Sequence, residues 1–156
     1  MNVYMVRHAK AGSRSIWDGD DWLRPLSSAG HAQARGLLAQ LHAARFTRII
    51  ASPSVRCMET VVPLSAAHGV MIEPNVALGE GAPIDGAVQL VKECSDRGAV
   101  LCSHGDIIPM LLDHLRGEGI DLGDTPRCEK GSTWVLACKD GAVVAASYVA
   151  PPTILR

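Results

Sequence analysis

Arg7 and His8 stand side by side at the end of a short apolar run. Arg56 and His104 follow far downstream, in the segments Ser52-Pro53-Ser54-Val55-Arg56 and Ser103-His104-Gly105. A guanidinium fork matches phosphate oxygens in bidentate geometry and stays charged. A neutral imidazole is a nucleophile near neutral pH. Two arginines and two histidines gathered in one pocket therefore describe a site that holds and attacks a phosphoryl group. Taken singly, an Arg-His pair or a lone histidine has ordinary structural explanations. The three segments carry weight together because each falls where a strand ends or a helix begins.

The surrounding sequence supplies those strands and helices. Residues 2–6 and 48–51 read as short apolar strands, and 99–102 as a buried one; 70–72 is a further strand candidate. Helical spacing of apolar residues covers 28–44, with Ser27 as its cap, and also 87–94 and 107–115. Ser52-Pro53 reads as a helix start, Ser as N-cap and Pro at the first position, for a helix running to about residue 67. Residues 10–24, 75–85 and 117–131 read as loops, and 133–138 with 143–149 as a hairpin around Lys139-Asp140-Gly141. Strands alternating with helices predict an α/β domain of three layers. Its mostly parallel central sheet is flanked by helices and closed by the C-terminal hairpin. In such sheets ligands bind beyond the carboxyl ends of the strands, where helix N-termini add free N–H groups.

The chain of 156 residues is expected to form a single domain over 1–156, with 47% hydrophobic and 20% charged residues. A formal net charge of −1 offers no basic surface for a nucleic acid polymer. No apolar stretch approaches a membrane span, and residues 1–6 are too short for a signal core. The five cysteines (Cys57, Cys94, Cys102, Cys128 and Cys138) form no C-x-x-C pair, so reduced thiols, no structural zinc and a cytoplasmic setting are expected.

Val6-Arg7-His8-Ala9, Ser52-Pro53-x-x-Arg56 and Ser103-His104-Gly105 resemble the histidine phosphatase, or phosphoglycerate mutase-like, superfamily. Arg24-Pro25-Leu26-Ser27-x-x-Gly30 with Gln33-Ala34 resembles its small SixA-type branch of phosphohistidine phosphatases. Arg7-His8-Ala9-Lys10 and Lys130-Gly131-Ser132 also resemble the phosphatase domain fused to some Nudix hydrolases. The resemblance spans residues 3–150. It implies that His8 is the nucleophile, forming a phosphohistidine, and that Arg7, Arg56 and His104 bind the phosphoryl oxygens. It implies no metal and no cofactor. The partner would be a phosphorylated small molecule, a nucleotide phosphate or a phosphohistidine protein.

Two departures matter. Ala9 stands where the family usually has glycine. The family's general acid, a carboxylate after the third strand, corresponds to Glu80 in Leu78-Gly79-Glu80-Gly81, which a solvated-loop reading also explains. Lys10 and Arg24 flank the first loop and would reach the pocket if that loop folds back, with two solvated charges as the alternative. Trp17 and Trp22 lie in the same loop and either shape the pocket or cover a helix. Glu59 reads as an i,i+3 partner of Arg56, Cys102 as core, and His31, His42, His68 and His114 as structural histidines. Phosphoglycerate mutases carry a large covering insertion between the second and third motifs. Here only residues 57–103 lie between, which favours hydrolysis over a mutase. A non-catalytic phosphate-binding module would require loss of a motif residue, and all four are present.

Overall fold

The computed structural model describes residues 1–124 and 126–154. Six strands form one sheet: β1 (Asn2–Arg7), β2 (Arg48–Ala51), β3 (Ile72–Pro74), β4 (Ala99–Ser103), β5 (Thr133–Lys139) and β6 (Ala142–Val149). Their order is β3-β2-β4-β1-β5-β6. The first four run parallel; β5 pairs antiparallel with β1, and β6 antiparallel with β5. Four α-helices cover it: α1 (Ser28–Leu41), α2 (Val55–His68), α3 (Ile84–Cys94) and α4 (Ile107–Gly117).

The central strands are apolar throughout because both of their faces are covered. Val3, Met5, Ile50 and Leu101 pack with α3 and α4 through Leu90, Val91, Ile108 and Leu111. Tyr4, Val6, Ile49, Val100 and Cys102 face α1 and α2 through Leu37, Leu41, Val61 and Leu64. This period-two division yields the three layers expected from the sequence. The hairpin turns at Asp140 and Gly141 with φ of 52° and 80°, the left-handed pair that a two-residue connection demands. Among the described residues no helix is long and apolar enough to cross a membrane.

Register fixes where the chemistry-bearing segments emerge. Arg7 pairs with Ser103 and Ala51 with Cys102. His8, Ser52 and His104 therefore leave the sheet at one edge and one level. The loop after β3 is drawn to the same edge: Ser103 Oγ donates to Leu78 O at 2.7 Å, and Gly81 N to Asp106 at 2.7 Å.

Several local expectations are corrected. Ser52 does not cap α2: the helix starts at Val55 with Ser54 at its N-cap, and Ser52 Oγ lies 2.8 Å from His104 Nε2. A buried imidazole nitrogen without a partner is costly, and that demand holds the hydroxyl. The third strand is 72–74 rather than 70–72. Gly69 closes α2 in the left-handed conformation and Val70 N still bonds back to Ser65 O, so pairing with β2 begins at Ile72. Glu59 does not pair with Arg56; its carboxylate accepts from Leu26 N at 3.0 Å and faces His31.

Candidate active site

His8 is buried at 6% exposure, where the chain leaves β1. Its backbone N–H donates to Ser103 O at 3.0 Å. A carbonyl can only accept, so the 2.7 Å contact between Nδ1 and Ala9 O places the hydrogen on Nδ1 and leaves the Nε2 lone pair free. Burial, followed by the charges of His104, Arg56 and Arg7, lowers the His8 pKa to about 3. The ring is thus a neutral imidazole at physiological pH, the nucleophilic form. Ala9 has no positive φ, and its methyl packs with Leu26 and Ala34. Its N–H donates to Thr60 Oγ1 at 3.0 Å, so alanine fits this position without strain.

Three donors surround this ring. Arg56, 1% exposed, donates from Nη1 to Asp21 O at 2.9 Å and from Nη2 to Asp21 Oδ2 and Glu80 Oε2 at 3.2 and 3.1 Å. Arg7 donates from Nη1 to Cys128 O at 2.7 Å. His104, its ring 5.5 Å from that of His8 and tilted by 66°, is held through Nε2 by Ser52. After these bonds, Arg7 Nε, Arg56 Nε and His104 Nδ1 remain buried without partners. Buried polar atoms are normally satisfied, so two guanidinium groups and an imidazole that line one pocket, each keeping an unpartnered nitrogen, suit an anion. The pocket encloses about 470 Å³ and is lined by all three residues together with His8.

Glu80 and Arg24 also line it, and Lys10 does not. Arg24 is buried, bonding through Nε to Asp21 at 3.1 Å and through Nη1 to Gly12 O at 2.6 Å. The first loop thus folds back, but it aims Lys10 into an adjacent cleft of about 680 Å³ beside Gln33 and Pro151. Gln33 accepts from Lys10 N and donates to Lys130 O, at 2.9 and 3.1 Å, holding Lys10's backbone on that side.

Sequence reasoning missed Arg14, Lys130, Asp21 and Ser52. Arg14 and Lys130 line the pocket. Burial, then the neighbouring Arg7, Arg24, Arg14 and Lys10, lowers the Lys130 pKa. Lys130 had a visible signal in Lys130-Gly131-Ser132; Arg14 had none, since only the folded loop brings it there. Cys102 is core as expected, its thiol pushed well up by burial. Cys57, also buried, lies 3.6 Å from His104 Nε2. The other four histidines line no part of this pocket; His68, for example, faces His42 O and Phe46. Among the described residues no cluster of three or more His, Cys, Asp or Glu forms a metal site.

The family described as histidine phosphatase superfamily (branch 1) matches residues 3–82. This chain belongs to that superfamily. It is similar to an 8-oxo-(d)GTP phosphatase of Mycolicibacterium smegmatis, 38% identical over 155 residues. That match covers 96% of the chain but 48% of the relative, so the chain spans about half the relative's length. Among solved structures, the protein histidine phosphatase SixA complexed with tungstate shares the fold with a TM-score of 0.75 at 14% identity, covering 98% of this chain and 97% of that one. A mycobacterial glucosyl-3-phosphoglycerate phosphatase complexed with VO3 does so with a TM-score of 0.69 at 19% identity, covering 97% and 99%.

Proposed function

We propose that this chain hydrolyses phosphate esters or anhydrides through a phosphohistidine on His8. The observation that carries the reading is the pair of guanidinium groups and the second imidazole, Arg7, Arg56 and His104, each with an unpartnered buried nitrogen, around a tautomer-fixed neutral imidazole. His8 Nε2 attacks phosphorus. The bond to the leaving oxygen breaks, and that oxygen departs as an anion or takes a proton from Glu80. Arg7, Arg56 and His104 bind the three non-bridging oxygens, where charge stabilisation does most of the work of phosphoryl transfer. Water then attacks the phosphohistidine, giving its proton to Glu80 or to solvent. The N–P bond breaks and inorganic phosphate leaves.

Arg14, Arg24 and Lys130 add positive charge around the same pocket beyond the first phosphoryl site. They support a small substrate bearing more negative charge than one phosphate, and the relative named for 8-oxo-(d)GTP is consistent with this. Residues 57–103 are spent on α2, β3, α3, β4 and short connections, leaving no segment to cover the pocket. That supports transfer to water over return of the phosphoryl group to substrate. The test is a rapid acid or alkaline quench with ³²P-labelled substrate. An acid-labile, base-stable label is expected on the wild type and absent from His8→Ala. Turnover that persists in His8→Ala overturns the reading.

A further inference from the structure

We propose that Trp17 is a stacking platform for the leaving group of this phosphatase, and that the leaving group carries a nucleobase. The proposal rests on the phosphoryl site proposed above and adds the substrate class.

A leaving oxygen that takes its proton from Glu80 departs on that side of the pocket. Beyond Glu80 lies a second cleft of about 310 Å³, lined by Arg14, Trp17, Gly19, Asp21 and Glu80. Arg14 and Glu80, an ion pair at 3.6 Å, line both this cleft and the catalytic pocket, so the two adjoin. Trp17 also lines a further cleft of about 210 Å³ that shares Gly12, Ser13 and Arg24 with the catalytic pocket, whereas the cleft beside Lys10 and Pro151 shares only Lys130 and has no aromatic side chain.

Trp17 is placed with more care than core packing explains. It belongs to none of the three hydrophobic clusters and is 37% exposed. Yet its indole Nε1–H donates to Asp20 O at 3.0 Å, and its backbone N–H closes a turn on Ser13 O at 3.1 Å. Gly19 takes φ 129°, a conformation that side chains rarely adopt. The loop is built around a ring whose polar atom is already satisfied, leaving apolar surface toward the cleft. A planar base matches that surface, and the adjoining Arg14 accommodates the phosphate-bearing end.

The test compares ligands that differ by the nucleoside or its base: guanosine 5′-monophosphate against ribose 5-phosphate, and guanosine 5′-diphosphate against inorganic pyrophosphate. Affinity is read by calorimetry, and kcat/KM by phosphate release. In the wild type the guanine nucleotides are expected to bind more tightly than their partners. Trp17→Ala is expected to weaken nucleotide binding and kcat/KM roughly 5- to 150-fold, the range of one stacked base, with base-free ligands changed less than twofold. Trp17→Phe is expected to retain most of the preference. Equal affinity within the wild-type pairs, an equal loss on both members in Trp17→Ala, or Trp17 dependence seen only with a phosphohistidine peptide overturns the proposal. The binding arm needs no turnover. A base preference without hydrolysis would sink the phosphatase reading and leave the platform standing; hydrolysis without the preference would do the reverse.

Discussion

His8 donates its Nδ1 hydrogen to the carbonyl of its own neighbour Ala9, 2.7 Å away, so the residue after the proposed nucleophile sets its tautomer. The backbone of residue 9 does this, whatever its side chain, which is why alanine serves where glycine is usual.

Burying this imidazole as the neutral form has a stability cost in acid. The pKa of His8 falls from 6.5 to about 3, with burial the leading cause. Between those values the unfolded chain binds a proton at this position that the folded chain refuses. Folding stability therefore drops as pH falls from about 6.5 toward 3, by at most about 1.4 kcal/mol per pH unit from this group. Urea unfolding at pH 7, 5 and 4 should show a shallower loss in His8→Ala than in the wild type. Identical losses would mean that His8 titrates alike in both states.

Glu80 faces two guanidinium groups, Arg56 at 3.1 Å and Arg14 at 3.6 Å. Asp21 grips Arg56 independently, so loss of the Glu80 charge should leave Arg56 in place. A general acid contributes about 10²- to 10⁴-fold when the leaving oxygen needs a proton. Glu80→Gln is therefore expected to slow an alkyl phosphate far more than p-nitrophenyl phosphate. Equal slowing of the two would return Glu80 to a purely ion-pairing role.

The sequence made the sheet edge legible because strand ends and motif residues coincide: Arg7-His8 closes β1, and Ser103-His104 closes β4. What it did not reveal was the path of the loop over 10–24. That path is set by long-range contacts, namely Arg24 on Gly12 O and the bridge between Ala11 and Leu26. Local sequence does not encode which cation such a loop turns inward, so it gives no sign of Arg14 and leaves Lys10 open between the pocket and solvent. Ser52 was misread for a related reason. A Ser-Pro pair looks like a cap until a buried histidine 52 residues away claims its hydroxyl.

Arg24 and Lys10 separate accordingly. Arg24→Ala should lower kcat/KM, and more for a nucleoside diphosphate than for the monophosphate, since Arg24 lines the pocket. Lys10→Ala, whose side chain faces the neighbouring cleft, should change neither by more than about twofold. A diphosphate-selective loss in Lys10→Ala would show that the loop rearranges around substrate.

Turnover is expected to persist in EDTA, because Arg7, Arg56 and His104 supply the positive charge and donors that a metal otherwise provides. Activity lost in EDTA and restored by a divalent ion would contradict this.

Two glycines offer a contrast between function and fold. A Cβ on Gly105 would begin 2.6 Å from Arg7 Cζ, and within 3 Å of Nε, the orphan donor of the pocket. That clash falls on the end of a long side chain, which can move. Gly105→Ala should therefore displace the Arg7 guanidinium, cut kcat/KM by an order of magnitude or more, and leave thermal stability nearly unchanged. A Cβ on Gly30 would fall 1.9 Å from Lys10 O, a backbone atom. That carbonyl also accepts from Ser27 N at 3.0 Å and from Ser27 Oγ at 3.1 Å, so it cannot yield without breaking the start of α1. Gly30→Ala should cost about 1–3 kcal/mol of stability, as overpacking typically does, and its residual activity should track the folded fraction. The pair is read by thermal unfolding alongside kcat/KM on p-nitrophenyl phosphate. A Gly105→Ala protein that loses stability in step with activity would show that the absence of a side chain there serves packing rather than the placement of the Arg7 guanidinium.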